Sequence, residues 1–525
     1  MRNSIETQEL LIQGLLDPQA YPHPVDGIQR METHISHILL AGRFAYKIKK
    51  PLDLGFLDYH ELARRLHYCL EELRLNSRTA PEIYLDVVGV GGSLEAPRIV
   101  SLDTAGAMEY AVRMRRFPAG ALLSERLQAG RWDSSIVDTL AAEIAAFHQS
   151  AAVARPQTPW GTPEQVRRPI RDNFQVLAGA YDAAHLQRLE DWAEQTHQRL
   201  SDTFTRRRQM ERVRECHGDL HLGNIVMWEG RPCLFDGIEF NEGLRWIDVI
   251  NDIAFLMMDL EERQHAGEAW RLINSYLEFT GDYTGVAVLD YYRAYRAMVR
   301  AKVAAIRLGQ NDLDGNARLD AEKTMQAYLS LAESYTRPQR PCLLLTTGLS
   351  GSGKTWVSRL LLQSLGLIRL RSDVERKRLF GLGPLDESES ALDAGIYTEE
   401  ASRHTYQRLR ELAATVLASG HPVIVDAAFL GRAQRAEFLQ LAEQAGVPAL
   451  VIRCAADPAT LRRRVRQRQD EGGDASEADL AVLESQLGRW EDPDERESAI
   501  TLAVDTGSPW EPEALARQVR ERLGV

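Results

Sequence analysis

Residues 342–355 read C-L-L-L-T-T-G-L-S-G-S-G-K-T. An apolar run from Cys342 to Thr346 feeds a glycine-rich loop, and a helical pattern follows. The loop matches G-x-x-x-x-G-K-[S/T] at every fixed position, in the strand–loop–helix setting that this pattern requires. Glycines let backbone N–H groups turn inward around phosphate oxygens, and the helix start adds a favourable dipole. Gly348, Ser350, Gly351, Ser352, Gly353, Lys354 and Thr355 are therefore candidate ATP-binding residues. Lys354 is placed to reach the β- and γ-phosphates during transfer, and the Thr355 hydroxyl to bind Mg²⁺.

Outward from the loop, strand-like and helix-like segments alternate. A strand is expected at Leu367–Leu370, a helix near Glu399–Ala418 and a strand at Pro422–Val425. A helix at Arg432–Ala445, a strand at Ala449–Cys454 and a helix at Pro458–Gln469 follow. This alternation predicts an α/β domain with a parallel sheet. Ligands bind such sheets at the strand carboxyl ends. Asp373 and Arg376 fall just past the second strand, where Asp373 can take a hydroxyl proton and Arg376 hold a substrate group. Ser372 and Asp373 equally suit a helix N-cap. Asp426 ends the strand V-I-V-D; it is a candidate Mg²⁺ ligand or a turn-forming residue. The helix after Pro458 carries Arg462, Arg463, Arg464, Arg466 and Arg468. These, with Arg464 and Arg468 as candidate phosphate ligands, suit a lid over transferring phosphates. A solvated helix face or a nucleic-acid patch explains the same run, although the patch lacks interleaved aromatics.

This set of motifs resembles the small P-loop kinases, a group of polynucleotide 5′-kinases, zeta-toxin-type kinases and gluconate kinases. The resemblance covers the last third of the chain. It implies that Asp373 is a general base and Arg376 a substrate-binding residue, and it fixes the reaction type rather than the substrate.

The second informative stretch is 216–240, C-H-G-D-L-H-L-G-N-I-V-M-W-E-G-R-P-C-L-F-D-G-I-E-F. Asp219, Asn224 and Asp236 supply two acids and an amide at spacings that suit phosphoryl transfer. One carboxylate accepts a hydroxyl proton, while the amide and the other carboxylate hold Mg²⁺. Polar turns are the alternative origin of such residues. Upstream, R-F-A-Y-K-I-K-K at 43–50 alternates and reads as a strand, 60–78 as an amphipathic helix, and 109–116 as another strand. Residues 134–205 and 247–331 are mostly helical in pattern.

The 216–240 stretch resembles the aminoglycoside phosphotransferase and choline-kinase-like family, over roughly residues 30–310. That family has a two-lobed protein-kinase-like fold. The resemblance implies Asp219 as catalytic base, Asn224 and Asp236 as magnesium ligands, His217 as a structural member of the loop and Asp252 as its brace. It implies Lys47 or Lys49 as the lysine on the ATP phosphates, with Lys47 favoured, Glu71 or Glu72 as its partner, Glu72 being the candidate carried forward, and Met114–Phe117 as the hinge beside adenine. No G-x-G-x-x-G precedes the lysine strand; residues 32–37 read E-T-H-I-S-H. The position of D-F-G reads D-G-I, and no acidic aminoglycoside-binding cluster stands out, so antibiotic resistance is not expected. The whole chain resembles bacterial fusions of such a domain with an ATP-binding domain loosely labelled AAA.

The expected architecture is an α+β two-lobed kinase-like domain over 1–337, then an α/β P-loop domain over 338–525. The polar segment Ser334–Pro341, with two prolines, marks the join. The 525 residues are too many for one core. A net charge of −12 disfavours bulk nucleic-acid binding. Five scattered cysteines, Cys69, Cys216, Cys233, Cys342 and Cys454, argue against a disulfide framework. Glu6 and Glu9 stand where a signal peptide is apolar, and no apolar run reaches the ~18–20 residues of a membrane span. A soluble cytoplasmic enzyme is expected, with ATP and Mg²⁺ as cofactors and a small-molecule acceptor as partner. A bifunctional kinase, an ATP-sensing module with one non-catalytic half, and a nucleic-acid 5′-end kinase are the competing readings.

Overall fold

The computed structural model describes residues 5–524 apart from 54, 56, 310–313, 389, 391–394, 472–474, 509 and 510. The chain forms two compact units. The first holds the described residues up to Ile136 together with Ala146–Pro169 and Phe204–Leu256. The second holds Val137–Ala145, Ile170–Thr203 and the chain from Met257 onward.

In the first unit, β1 (Ile28–Glu32), β2 (Ser36–Ala41), β3 (Phe44–Lys49), β4 (Tyr84–Gly92), β5 (Pro97–Val100) and β6 (Glu109–Arg115) build one sheet. Its order is β1-β2-β3-β6-β4-β5, antiparallel throughout. The period of two along β3 separates its side chains. Tyr46 and Ile48 pack with Leu11, Ile12 and Leu15, from the helix Ile5–Gly14 and its end, on one face. Ala45 packs on the other with Cys69 of the helix Leu62–Asn76. The alternation in 43–50 alone suggests one wet face. Both faces are in fact buried, because the polar positions are Lys47 and Lys49, paired with carboxylates in the interior. A short pair, β7 (Val213–Glu215) with β10 (Trp246–Asp248), and a hairpin, β8 (Ile225–Trp228) with β9 (Arg231–Leu234), complete the strands of this unit. The hairpin turns at Glu229-Gly230 with both φ values positive (48° and 84°), as a two-residue turn of matching twist demands.

The second unit contains β11 (Leu343–Thr347), β12 (Ile368–Arg371), β13 (Val423–Asp426), β14 (Ala449–Ala455) and β15 (Thr501–Asp505). All neighbours are parallel, in the order β12-β13-β11-β14-β15. Every residue of the central strand β11 is buried. The helices Glu399–Ala418 and Arg432–Ala445 have the bounds expected from sequence, and β12 is offset by one residue. The helices Ala266–Thr280, Val286–Leu308 and Gly315–Ser334 also belong to this unit. Compactness therefore does not follow the join at 337/338 that the proline-containing segment suggests. The reason is packing: Asn274 and Glu278 of the first of these helices bond to β12. Among the described residues, no helix is long and apolar enough to cross a membrane.

Leu344 lies in β11, the central strand of the sheet, with no exposure. Leu344→Ala should lower the unfolding free energy by about 2–5 kcal/mol. Urea denaturation of both proteins measures this; a shift of only a few tenths of a kcal/mol would contradict the central position of β11.

Candidate active sites

The second unit opens a cleft of about 330 Å³ at the carboxyl ends of its strands, lined by Ser350, Gly351, Gly353, Lys354 and Thr355 of the glycine-rich loop. Gly348, Gly351 and Gly353 have φ of 144°, 79° and 81°, a region closed to most side chains. A Cβ on Gly348 would also strike the Cys454 carbonyl, and one on Gly351 would lie 2.8 Å from the Leu461 carbonyl. Sequence pattern and steric space thus demand glycine independently. The Ser352 carbonyl accepts from the Thr506 hydroxyl at 2.9 Å, beneath the loop. Lys354 Nζ donates to the Leu349 carbonyl at 2.9 Å. Burial pushes its ammonium down, against the pull of the Asp426 carboxylate.

Asp373, Arg376 and Asp426 line the same cleft. Asp426 is held by two hydroxyls: Ser358 donates to Oδ2 at 3.0 Å and Thr346 to Oδ1 at 3.3 Å. The capping alternative for Ser372 and Asp373 is not realised. Arg371 occupies the N-cap of the helix Ser372–Leu379, without a side-chain cap bond. Arg376 Nη1 donates to the Ile396 carbonyl at 3.0 Å and to Ser402 Oγ at 3.1 Å, and its guanidinium lies 5.3 Å from the Tyr397 ring centre.

The arginine helix divides by role. Arg462 pairs with Glu484 at the surface, and Arg463 and Arg466 are exposed. Arg464 and Arg468 reach the cleft. Arg464, expected on phosphate, commits its guanidinium to the loop's own support: Thr506 O at 2.6 Å, Thr506 Oγ1 at 2.9 Å and Gly351 O at 3.3 Å. Arg468 donates to the Ala478 carbonyl at 2.6 Å. Sequence reasoning missed Gln486, which lines the cleft and accepts the Ser350 N–H at 2.7 Å. Nothing local marks it, since its partner lies on a distant segment.

The first unit gathers a second charged group. Lys47 pairs with Glu72 at 2.8 Å and with Asp236, and Lys49 pairs with Glu72 at 2.6 Å and with Glu239. Glu72 is fully buried between the two ammoniums, whereas Glu71 pairs with Arg74 nearer the surface. Geometry therefore separates the candidates: Lys47 is the lysine against Asp236, and Glu72 its second carboxylate. Burial alone would push the Lys47 ammonium down; the carboxylates of Asp236 and Glu72 overturn this and hold it well above its usual range. Burial likewise pushes the Glu72 carboxyl up, and the two lysines pull it well below the carboxylate range. Glu239 was not singled out from sequence. Two lysines on one buried face need more than one carboxylate, and that requirement could have found it.

Asp219 and Asn224 form the neighbouring loop. Asn224 Nδ2 donates to the Asp219 carbonyl at 2.9 Å and to its Oδ2 at 3.0 Å. Asp252 braces the loop, as Oδ2 accepts from His217 N and Oδ1 from Gly218 N, both at 2.9 Å. His217 Nε2 lies 2.9 Å from the Phe235 carbonyl, an oxygen that can only accept, so Nε2 carries a proton. Burial pushes this imidazole's pKa down and favours the neutral ring. Its Nδ1 is then free to accept from Asp219 N at 3.3 Å. The hairpin β8–β9 brings the remaining pieces to one end, since Asn224 precedes β8 and Asp236 follows β9, and Phe235 N bonds to Asn224 O at 3.0 Å. Asp236 has φ of 62°, held by Tyr84 Oη on its N–H at 3.1 Å and Asn76 Oδ1 on the next N–H at 2.8 Å. Of the expected hinge, Met114 is buried in the sheet and Phe117 packs edge-on against Phe235, 5.5 Å between ring centres.

Comparison with known proteins agrees with the two domain types expected from sequence. Residues 61–289 match the phosphotransferase enzyme family, and residues 343–493 match the AAA domain family. The chain is a fusion of a phosphotransferase-family domain with a P-loop kinase-type domain. An uncharacterized protein of Mycobacterium tuberculosis, Rv2004c, is 30% identical over 478 residues, 89% of this chain and 92% of that protein, so the two belong to one family. Among solved structures, a putative kinase from Chloroflexus aurantiacus covers 35% of this chain and 100% of its own, at 28% identity and a TM-score of 0.29. A choline/ethanolamine kinase family protein from Mesorhizobium loti covers 62% and 99%, at 14% identity and a TM-score of 0.38. Scores this low leave function to be argued from the residues. The family matches make the chain an ATP-dependent kinase.

Glu72→Gln should cost about 3–5 kcal/mol, because two buried ammoniums lose a shared carboxylate. The depressed Glu72 pKa means its contribution is complete above the unfolded carboxylate value and is lost as pH falls. The stability gap between wild type and variant should be flat between about pH 6 and about 9 and narrow below about pH 4.3. Denaturation curves at a series of pH values measure it, and a gap that widens in acid would contradict the pairing.

Proposed function

We propose that the chain is a bifunctional ATP-dependent phosphotransferase, in which each half moves the γ-phosphate of ATP to a hydroxyl of a small molecule such as a sugar, amino sugar or nucleotide-like compound. The chemistry divides near residue 337/338, with one site on each side. The observation that carries the reading is that Asp373 and Asp426 line the same cleft as the phosphate-binding loop, so nucleotide, base and metal-type oxygen donors converge.

In that cleft the loop N–H groups and Lys354 hold the phosphates. Asp373 accepts the acceptor's hydroxyl proton as its oxygen attacks the γ-phosphorus; the bond to the β-phosphate oxygen breaks and ADP leaves with the electron pair. Arg376, fixed by Ile396 and Ser402, orients the acceptor. In the phosphotransferase-type half, Asp219 takes the proton and Lys47, positioned by Glu72, grips the phosphates. Hard oxygen donors suit Mg²⁺ at both places: Thr355 and Asp426 in one, Asn224 and Asp236 in the other. When bound, Mg²⁺ neutralises charge building on the phosphate oxygens. Support for a small acceptor over a nucleic acid comes from the arginine helix, where Arg462, Arg464 and Arg468 already have protein partners. The free thiols of all five cysteines fit a reducing cytoplasm.

The test is ATP turnover with a panel of sugars, amino sugars, nucleosides and oligonucleotides, followed by mass spectrometry of the product. Lys354→Ala or Asp373→Asn should each remove the product of the P-loop site, and Asp219→Asn that of the other, by about 10²–10⁴-fold. Turnover unchanged in all three variants would refute the proposal; product only on oligonucleotide 5′-hydroxyls would replace the small acceptor with a nucleic acid.

A further inference from the structure

The strand β12 lies at the edge of the parallel sheet. An edge strand presents backbone N–H and C=O groups with no strand beside them. Here a side chain substitutes for the missing strand. Asn274, in the helix Ala266–Thr280, is buried; its Nδ2 donates to the Leu367 carbonyl at 2.9 Å and its Oδ1 accepts from Arg369 N at 2.6 Å. One amide thus satisfies an acceptor and a donor two residues apart on the same edge.

One turn further along the same helix, Glu278 clamps what β12 carries. Its Oε1 accepts from Arg369 Nε at 2.9 Å and Nη2 at 2.7 Å, with both side chains nearly out of solvent, and its Oε2 lies 3.5 Å from Arg371 Nη1. Arg371 lines the cleft. The Glu278 main-chain carbonyl accepts from Arg378, at the far end of the helix Ser372–Leu379 that bears Asp373 and Arg376. The helix Ala266–Thr280 then stops at Gly281, whose φ of 67° favours glycine and which lies against the Arg378 guanidinium. These contacts therefore fix β12 and the segment after it from both ends. They come from a helix inside the phosphotransferase match (61–289) and outside the AAA match (343–493).

We propose that Asn274 and Glu278 are positioning residues for the P-loop kinase site: an element of the phosphotransferase-type sequence sets the placement of Asp373, Arg371 and Arg376. This rests on the reading of that cleft as a phosphotransfer site. The phosphate-binding loop follows β11, two strands away in the sheet, whereas the bonds of these two side chains go to Leu367, Arg369 and Arg371, so their loss should disturb the reacting geometry more than ATP binding.

The test uses the full chain with Asp219→Asn in the background, so that turnover reports the P-loop site, and water as the acceptor, read as ADP release. Lys354→Ala in that background must abolish turnover; if it does not, the assignment of the cleft fails and the inference with it. Given that control, Asn274→Ala and Glu278→Gln should lower the turnover number about 10- to 100-fold, as small misplacements of reacting groups do. The dissociation constant of a non-hydrolysable ATP analogue at the site lost in Lys354→Ala, resolved by calorimetry, should stay within about threefold, well under the tenfold that marks a lost interaction. Hydrogen exchange over residues 367–379 should quicken in Asn274→Ala, a readout that needs no turnover and creates no unpaired charge. Unchanged turnover and exchange would overturn the proposal. A parallel loss of ATP affinity would also overturn it, by showing general damage rather than positioning.

Discussion

A lysine ammonium cannot stay charged in a protein interior without a carboxylate beside it, and β3 places two of them there. Glu72, with no exposure, answers both, while Asp236 and Glu239 complete one pair each. Much of the first unit follows from this. The helix Leu62–Asn76 must lie against the lysine face of the sheet to deliver Glu72, and the hairpin β8–β9 must end beside it to deliver Asp236. The same helix supplies Asn76, which holds the backbone after Asp236. Charge neutralisation thereby sets the placement of Lys47 and Asp236, the groups proposed to handle nucleotide.

The second unit meets the opposite problem: it must hold negative charge with backbone dipoles. The glycine-rich loop does so only because it is packed from below. The Cys454 and Leu461 carbonyls crowd two of its glycines, Arg464 and Thr506 tie its carbonyls, and Gln486 takes one N–H. Residues that look like ligands in sequence are thus partly scaffolding. Arg464 is the clearest example, a cleft-lining cation whose guanidinium already serves the loop.

Much of this was legible in the sequence because local chemistry is local in sequence. The strand–loop–helix pattern around 342–355 fixes β11 and the loop, and the stretch 216–240 holds Asp219, Asn224 and Asp236 within one loop and one hairpin. Which of Lys47 and Lys49 faces Asp236 was not legible, since both share a face of β3; the Lys47–Asp236 pair joins distant segments. Gln486, Tyr84 and Asn76 were invisible for the same reason, as their partners are backbone groups far away in the chain. The compact units also differ from the expected join. A polar proline-containing linker marks where helical pattern stops, but Asn274 and Glu278 fasten the helix Ala266–Thr280 to β12 across it, and no pattern rule records an amide that substitutes for a strand.

The central claim is that one chain carries two nucleotide sites of unrelated design. Calorimetric titration with a non-hydrolysable ATP analogue and Mg²⁺ counts them directly. The account predicts two nucleotides bound per wild-type chain and one after Lys354→Ala, the survivor being the site of Lys47 and Asp236. A single nucleotide per wild-type chain would contradict it.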